Sequence, residues 1–569
     1  MLSDFTALCL NATNNYNTLI PPTNGWPVLY QFSATNGDPN LSVFVSIGPT
    51  NWGNLPAQFT SLSGNGQNCI IACTATPLSQ SVSIPATVAE TVWFGTIPMC
   101  QYAVFYNVVL EINPGAAFTI TGRVHCNTNM FCTGNSSGSP LTFMSSVDVS
   151  GSYSNTPSPL DPQNTSRSGN VVMPTGYPKY DADTLNLPLG NAATNYTYSA
   201  IESMLQLPPA TYALGTAAAY TTNGQVYFAN AADLIITNDF ATGTNITVFY
   251  QNQKNIPNYL IPVAPDAIGS INTNITYTSN ATTHVRNGTN ILYVTNYCFS
   301  YVTNVAFYDY RESDTVKALQ IDIGALGAWL GNTNGRGGWQ YELDSAGGGS
   351  IDVGHVINSI YVFNSISNFT GQVPAVRLVN GTRLPTNTVP NSNGAYRRSG
   401  LGIATAQPIY VEGNYNVTTD GVHFAYSLGS TTNNTLPACL IGDAITLLSS
   451  NFVDNASGGT ENPAPSQTII TLNAACFEGI VPSNGSYYSG GLENFLRLLE
   501  NWGSSRTVVY NGSIVVMFPS VYATGHWGGA YYGAPNRAWG FDTTFSQPAG
   551  QPPLFPSVKA DARSAWTYR

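Results

Sequence analysis

Charged residues are scarce in this chain. Asp, Glu, Lys and Arg together make up 8% of its 569 residues, whereas a soluble globular protein has about 25%. The 18 Lys and Arg residues form no basic run, and the net charge is −11. Nucleic-acid binding needs clustered positive charge, so this composition excludes it. Neutral polar residues such as Asn, Thr, Ser and Gly must supply the surface, and they disfavour helices.

Cysteine and histidine are also few, with nine and five residues respectively. Nine cysteines are too sparse for a disulfide scaffold, and their odd number leaves at least one thiol without a partner inside the chain. No two cysteines have the Cys-x-x-Cys spacing of a zinc site, and no His-Glu-x-x-His motif occurs. The sequence therefore predicts neither a metal site nor a cofactor.

Long apolar runs are missing as well. No stretch of about 18 apolar residues occurs, so we expect no membrane span. The first residues, MLSDFTALCLNATNN, lack the basic start and apolar run of a signal peptide. The neutral polar composition nevertheless favours an extracellular or cell-surface location. Sixteen of the 58 Asn residues lie in N-x-S/T sequons, including the candidate glycosylation sites Asn135, Asn274 and Asn511.

What the chain does contain is a succession of short apolar runs separated by Asn, Pro, Gly and Ser. This pattern predicts an all-β fold, specifically a discontinuous right-handed β-solenoid (β-helix) with a β-rich insertion and one or two short helices. A helix is expected over roughly 315–330 and a second over 491–502. The predicted regions are an N-terminal β-rich region (1–96), a first solenoid segment (97–155), an insertion (156–399), a returning solenoid segment (400–545) and an extended tail (546–569).

The stretch TITGRVHCNTNMFCTG, residues 119–134, shows the strand pattern most clearly. One set of residues occupies even positions and is apolar: Ile120, Val124, Cys126, Met130 and Cys132. The other occupies odd positions and is polar: Thr119, Thr121, Arg123, His125, Asn127 and Asn129. The two sets are therefore expected on opposite faces of a strand. Cys126 and Cys132 are predicted to point inward, either as a disulfide or as two buried thiols. His125 is predicted to lie on the surface, away from both cysteines.

The densest charge cluster is FYDYRESD, residues 307–314. Asp309 and Glu312 are the candidate catalytic residues here, because a pair of carboxylates can hydrolyse a glycosidic bond. The alternative is that Arg311 pairs with the neighbouring acids and fixes a loop, and we favour this structural interpretation because ionic residues are so rare in the chain.

Aromatic residues are concentrated in HWGGAYYGAPNRAWGFD, residues 526–542. Exposed aromatic rings can stack on sugars, which makes Trp527, Tyr531, Tyr532 and Trp539 candidate glycan-binding residues. Buried, the same rings would cover the open end of a solenoid, where unpaired strands invite aggregation. We favour the covering role.

Several motifs occur in an order that resembles a known family. They are IPMCQYAVFYNVVLEINPG, TGRVH, GLGIATAQPIYVEGNYN, LPACLIGDAITLLSSN, TLNAACFEGIVPSNGSYYSGGLENFLRLLENW and NRAWGFD. Over roughly residues 95–545 the chain resembles large uncharacterised secreted proteins of planctomycete–verrucomicrobial bacteria. Their N-terminal part is similar to accessory pilus-assembly proteins of the PilX type. The resemblance implies a surface or pilus-like role and supplies no catalytic residues.

These observations together predict a non-enzymatic extracellular structural protein, a component of a surface or pilus-like appendage or filament. The expected partners are further copies of the chain or other surface proteins, and glycans. Two alternatives stay open: a glycan-binding adhesin, and a carbohydrate-active β-helix enzyme such as a glycoside hydrolase or polysaccharide lyase.

Overall fold

The computed structural model describes residues 32–33, 43–47, 50–75, 86–135, 138–163, 169–190, 196–240, 245–251, 260–262, 267–268, 297–331, 357–366, 370–385, 400–428, 434–454, 463–528 and 531–568. Within these residues most regular structure is β-strand, and the helices are few and short. The prediction of a β-rich chain with few helices is therefore confirmed.

The strands of the first third of the chain are short, as expected where turn residues follow every few apolar residues. They are β1 (Phe32–Ser33), β2 (Val43–Ile47), β3 (Asn51–Asn54), β4 (Ser63–Ala75), β5 (Ala86–Pro98), β6 (Val104–Tyr106), β7 (Leu110–Ile112), β8 (Phe118–Ile120), β9 (Val124–Cys126), β10 (Met130–Cys132), β11 (Leu141–Phe143), β12 (Val147–Val149), β13 (Tyr153–Ser154) and β14 (Val171–Val172).

The remaining strands are β15 (Leu234–Asp239), β16 (Asn245–Gln251), β17 (Leu260–Pro262), β18 (Ala267–Ile268), β19 (Tyr297–Cys298), β20 (Val302–Asp309), β21 (Asp314–Asp322), β22 (Ser359–Ser365), β23 (Gln372–Val379), β24 (Leu401–Thr405), β25 (Ile409–Glu412), β26 (Ala438–Ile441), β27 (Ile445–Leu448), β28 (Ile469–Ile480), β29 (Arg497–Leu498), β30 (Thr507–Pro519), β31 (Asn536–Phe541) and β32 (Ser557–Tyr568). The helices are α1 (Tyr198–Leu205), α2 (Phe228–Ala231) and α3 (Ile323–Gly331).

Strands β6 to β14 repeat in groups of three. β6, β9 and β12 pair in parallel, as do β7, β10 and β13, and β8, β11 and β14. In the first of these ladders, Val104, Val124 and Val147 lie directly beside one another, and all three are buried. Each group of three strands therefore places its apolar side chains on those of the previous group.

A large, mainly parallel sheet joins the early and late parts of the chain. Its strand order is β12-β9-β6-β30-β28-β26-β24-β22-β15-β16-β17, and only β16 and β17 run antiparallel to their neighbours. The junction is the pairing of β6 with β30, where Val104 lies beside Ile514. Residues about 410 positions apart are thus neighbours, and the two predicted solenoid segments lie side by side.

A second sheet has the order β20-β21-β23-β25-β27-β29, parallel from β21 onward. One hydrophobic cluster includes side chains from both sheets, such as Ile403, Leu440 and Leu447. A second cluster, which includes Phe105, Ile441 and Phe477, covers the other face of the large sheet. Burial on both faces explains the continuous apolar runs in these parallel strands.

The region 156–399 is not a separate insertion, contrary to the prediction. Its strands β15 and β22 continue the large sheet beyond β24, and β21 and β23 continue the second sheet beyond β25. The long loops between these strands obscure the repeat in the sequence. The structure therefore joins this region to the returning segment through two parallel ladders.

The predicted helix over 491–502 was wrong. Leu492–Asn494 form a single 3₁₀ turn, and Arg497–Leu498 form strand β29. Gly490 and Gly491 adopt positive φ angles of 89° and 70°, which an α-helix excludes. The predicted helix over 315–330 exists only in its second half, because Asp314–Asp322 form β21 before α3 begins.

The N-terminal region forms a sheet of its own with the order β1-β2-β4-β5-β32. Its outer strand β32 comes from the C-terminal residues, where the sequence predicted an extended tail. β32 pairs antiparallel with β5 from Ser557 beside Pro98 to Tyr568 beside Val88. Residues 557–568 of the predicted extended tail are therefore the outer strand of this sheet.

Asparagine side chains connect neighbouring strands inside the stack. Asn511 Nδ2 donates to Asn473 Oδ1 at 2.7 Å, and Asn473 Nδ2 donates to the Asn416 carbonyl at 3.0 Å. In the first segment, Asn127 Nδ2 donates to Asn107 Oδ1 at 2.9 Å. These hydrogen bonds pair buried amide groups with uncharged partners. The high Asn content of the chain therefore has a structural role.

Candidate functional site

Ionisable residues that are rare in the sequence lie together inside the fold. Asp309 ends β20, Arg311 and Glu312 follow it in a turn, Glu478 belongs to β28, and Arg497 belongs to β29. Asp443, in the turn before β27, completes a group that we call the buried charge cluster. Buried charges are costly unless they are paired, so the contacts of each member decide what the cluster can do.

Asp309 is fully engaged within its own turn and with the neighbouring sheet. Its Oδ1 accepts the backbone N–H groups of Arg311 at 2.8 Å and Glu312 at 3.0 Å. Its Oδ2 accepts the Tyr410 hydroxyl at 2.7 Å. Burial, together with the charge of Glu312, raises the pKa of Asp309. This carboxyl therefore closes a turn and supports β25.

Glu312 and Arg497 form a buried ion pair at 2.6 Å. The second Glu312 oxygen accepts the Gly525 N–H at 2.7 Å, and the Gly525 carbonyl accepts from both Arg311 Nε and Arg497, each at 2.9 Å. Gly525 is thus held by three charged side chains, two from the turn between β20 and β21 and one from strand β29.

Asp443 holds the same segment at its beginning. Its two carboxylate oxygens accept three backbone N–H groups, from Val521 at 2.6 Å, Tyr522 at 2.9 Å and Ala523 at 2.6 Å. Burial raises the pKa of Asp443 to about 6, although these hydrogen bonds oppose the shift. Asp443 and Glu312 together attach the whole of 520–525 to the sheets.

Glu478 differs from the other acids of the cluster. Burial raises its pKa well above the ordinary value, and the charges of Arg497 and Arg311 only partly offset this. Among the described residues no hydrogen-bond partner reaches its Oε2. Glu478, Arg311 and Arg497 line a cavity of about 20 Å³, which is the space of roughly one water molecule.

In this geometry the charged side chains stabilise a segment of the protein. Two catalytic carboxylates must face each other across a space that admits a sugar. Asp309 and Glu312 instead lie in the interior, and each already accepts hydrogen bonds from the protein. The structure places both candidate catalytic residues in the buried charge cluster, where Arg311 and the acids fix a loop.

Cys126 and Cys132 are buried free thiols, so the disulfide alternative does not hold. Burial raises the pKa of Cys126 to about 11 and that of Cys132 to about 12, which keeps both protonated at neutral pH. The part of the chain that the structure describes contains no group of three or more His, Cys, Asp and Glu residues able to hold a metal ion.

His125 is buried, and its predicted surface position was wrong. It does lie on the opposite strand face from Cys126, but the second hydrophobic cluster covers that face. Its ring stacks on Phe105 with centroids 5.1 Å apart, and its Nε2 is 2.9 Å from Asn127 Oδ1. Burial lowers the pKa of His125 to about 4.

The candidate glycan-binding aromatics are used largely inside the protein. Trp539 is buried between Phe118 and Tyr510, each with ring centroids 5.7 Å away. Trp527 Nε1 donates to the Tyr532 hydroxyl at 3.3 Å, and that hydroxyl donates to Asn494 Oδ1. Tyr531 is half-buried. The four rings do not form one exposed surface.

The three candidate glycosylation sites differ in their surroundings. Asn511 is buried and its amide nitrogen bonds Asn473, so the folded structure leaves no room for a glycan there. Asn135 is half-buried, and its Nδ2 donates to the Gly115 carbonyl. Asn274 lies outside the described residues.

Sequence reasoning missed Asp443, Glu478 and Arg497, the members of the cluster that lie far from residues 307–314. A signal was present, because each is a single charged residue within an apolar run: LIGDAITLL, AACFEGIV and FLRLL. In a chain so poor in charge, an isolated ion inside a buried strand requires a partner of opposite charge.

Comparison with known proteins gives little further guidance. No family model and no curated protein matches the chain. One solved structure, the competence-associated pilin ComZ from Thermus thermophilus, aligns with 94% of this chain and 89% of its own, at 10% identity and a TM-score of 0.27. Within the described residues, no helix has the length and apolar character needed to cross a membrane.

Proposed function

We propose that this chain is a non-enzymatic structural component of an extracellular surface or a pilus-like appendage. In this proposal its parallel strands form a β-solenoid, right-handed like nearly all parallel crossover connections. The observation that carries the proposal is the continuous ladder from β12 to β15, which joins residues 147–149 to 234–239 through the late strands. Such a ladder gives a long, rigid body built from repeated backbone pairing.

The state of the buried charges supports a structural role over a catalytic one. Glu312 and Asp443 accept backbone hydrogen bonds from residues 521–525, and Asp309 accepts hydrogen bonds from its own turn and from Tyr410. All three carboxylates are thus engaged by the protein itself.

Self-association is the expected mode of assembly, through the end of the stack formed by β13 and β14. Within the described part of the chain, each of these strands pairs on one side only. Unpaired strand edges are templates for pairing with another chain. Val172 of β14 is 41% exposed, and Met144, which directly follows the neighbouring strand β11, is 64% exposed, so apolar side chains are available at this end.

The test is sedimentation velocity over a wide concentration range, combined with negative-stain imaging and surface immunolabelling of cells. We expect concentration-dependent assembly that Val172→Lys weakens by at least about tenfold, since a buried charge without a partner is costly at an interface. Val453→Lys is the matched control, because Val453 is 57% exposed elsewhere. A strictly monomeric chain absent from surface structures, or release of sugars from polysaccharides by the purified protein, would contradict the proposal.

A further inference from the structure

An exposed apolar face lies on residues 422–428, a segment that none of the predicted sites includes. Every second residue is large, apolar and open to solvent: Val422 (72%), Phe424 (40%), Tyr426 (38%) and Leu428 (46%). These are four exposed apolar side chains within seven residues, and only Ala425 among residues 422–428 is buried. Exposed apolar patches of this kind mark binding surfaces more often than chance positions do.

The inner side of the segment is fixed to the body of the protein. Ala425 is fully buried, its N–H donates to the Val417 carbonyl at 2.7 Å, and its carbonyl accepts Asn473 Nδ2 at 3.2 Å. Asn473 itself belongs to β28, so the segment is held by the asparagine contacts of the stack. The outward side chains therefore sit on a positioned backbone, which reduces the entropy lost on binding.

The two aromatic rings are parallel. The ring centroids of Phe424 and Tyr426 are 5.2 Å apart with an interplanar angle of 4°. Parallel rings at this separation are stacked with a sideways offset, so each ring supports the other and keeps one outer face available. We call these two rings, together with the imidazole of His423, which precedes Phe424 in sequence, the aromatic platform.

A carboxylate positions the polar part of the platform. Asp420 Oδ2 is 2.6 Å from His423 Nδ1, and Oδ1 accepts the backbone N–H groups of Val422 and His423, each at 2.8 Å. The hydrogen bond from the His423 side chain is the main cause that lowers the pKa of Asp420. His423 remains 70% exposed, so a fixed hydrogen-bonding group lies in solvent beside the rings.

The charges around the platform restrict its ligand. Residues 417–428 contain no Lys or Arg, and Asp420 adds a negative charge. Anionic lipid surfaces and nucleic acids are bound through basic residues, so this surface suits neither. A neutral sugar ring has a face of C–H groups that packs on an aromatic ring and hydroxyls at its rim that accept or donate hydrogen bonds.

We propose that the aromatic platform binds a neutral carbohydrate, with a sugar ring stacked on Phe424 or Tyr426 and a hydroxyl bonded to His423. The inference does not depend on the proposed assembly, which uses β13 and β14. It moves the expected glycan contact from residues 526–542, where the aromatics are half-buried or buried, to a segment where they are exposed.

The test uses the full chain and measures the retardation of native electrophoresis in gels containing soluble β-glucan, xylan, mannan or a soluble chitin derivative. We expect at least one of these probes to bind, and Phe424→Ala/Tyr426→Ala to lose at least about tenfold in affinity, since aromatic contacts dominate such sites. Trp566→Ala is the matched control, because Trp566 is an aromatic residue 57% exposed on a different sheet, and it should bind like the wild type.

Both variants should fold, with melting temperatures within about 2 °C of the wild type, because exposed residues contribute little to stability. Sedimentation of each variant checks that assembly is unchanged. Three outcomes would overturn the proposal: no binding to any of the four probes, equal binding by the double variant, or platform-dependent binding to vesicles of phosphatidylglycerol and phosphatidylethanolamine in place of sugars. Loss of assembly in the double variant alone would assign the platform to a contact between copies.

Discussion

Arg497 neutralises much of the buried acid in this protein. Burial alone would lower its pKa, but the charges of Glu312 and Asp309 raise it overall. Its guanidinium pairs with Glu312 and donates to the Gly525 carbonyl, and it lines the same cavity as Glu478. Arginine suits this position because its planar donors reach several acceptors at once and it stays charged when buried.

Replacing Arg497 with Met should destabilise the protein by about 3–5 kcal/mol, because Glu312 would remain buried without its partner. Chemical denaturation followed by tryptophan fluorescence measures this change. Lys179→Met is the control, since Lys179 is exposed, and it should alter stability by less than about 0.5 kcal/mol. An R497M variant as stable as the wild type would show that the cluster does not hold the fold together.

The strand face that a side chain occupies was predictable only where apolar and polar residues alternate clearly in the sequence. Alternation correctly placed Cys126 and Cys132 in the core and His125 on the opposite face. It could not show that other parts of the chain cover that second face. The cluster that covers it includes Leu185 and Leu187, which are 60 or more positions away from His125, and no local pattern connects them.

Close approach of strands β28 and β30 depends on glycine. Gly512 lies beside Ala474 in this ladder, and a methyl group on Gly512 would overlap the Ala474 carbonyl oxygen and approach the Tyr510 ring. Both atoms belong to buried residues that cannot move aside without disturbing the sheet. The glycine is thus required by packing between strands and not by a turn.

Gly512→Ala should therefore cost about 3 kcal/mol or more, as overpacking in a rigid core does at its upper range. Gly115→Ala is the matched control, because nothing lies within 4 Å of the position of its added methyl. The control should be unchanged or slightly more stable, since alanine reduces the freedom of the unfolded chain. Thermal melts of both variants make the comparison, and equal melting temperatures would contradict the close packing of β28 and β30.

Strands were easier to predict from the sequence than helices. Leu492, Phe495, Leu496 and Leu499 have helical spacing, and all four are buried, yet Leu492 begins a 3₁₀ turn and the other three lie in the irregular backbone on either side of β29. The spacing correctly indicated which side chains face the core. Periodicity could not show that the positive φ angles at Gly490 and Gly491 and the pairing of β29 with β27 replace the helix.

At the scale of the whole molecule, the sequence predicted strands but not their neighbours. The pairing of β6 with β30 and of β5 with β32 joins residues more than 400 positions apart. The short strands share the same pattern of apolar residues, so the pattern of one strand is compatible with pairing to many of the others. This is why region 156–399 looked like an insertion although its strands continue both sheets.

The buried acids also determine how stability should vary with pH. Burial raises the pKa of Asp443 to about 6 and raises the pKa values of Asp309 and Glu478. The relevant pH range lies between the pKa values of these acids in the unfolded chain, near 4, and their raised pKa values in the folded chain. Within that range the folded state holds more protons than the unfolded state. The contribution of these groups to stability is greatest in acid and falls as pH rises through that window. For Asp443 alone the loss is about 3 kcal/mol.

His125 acts in the opposite direction. Burial lowers its pKa to about 4, so the folded state binds fewer protons than the unfolded state between that value and about 6.5. Its contribution is fully present above about pH 6.5 and is lost as pH falls toward 4. Three acids oppose one histidine, so we expect the free energy of unfolding to increase as the pH is lowered from 7 to about 5.

Glu478→Gln separates these contributions, because glutamine has the shape of the protonated acid and no charge to bury. We expect E478Q to be more stable than the wild type at pH 7, and the difference to shrink as the pH approaches 4.5, where the unfolded chain begins to bind the proton that Glu478 holds in the fold. Urea denaturation at pH 4.5, 5.5 and 7 measures both curves. If E478Q is instead the less stable protein at pH 7, Glu478 is ionised in the fold and Arg497 and Arg311 hold its charge. The acid-stable profile would then rest on Asp443 and Asp309 without Glu478.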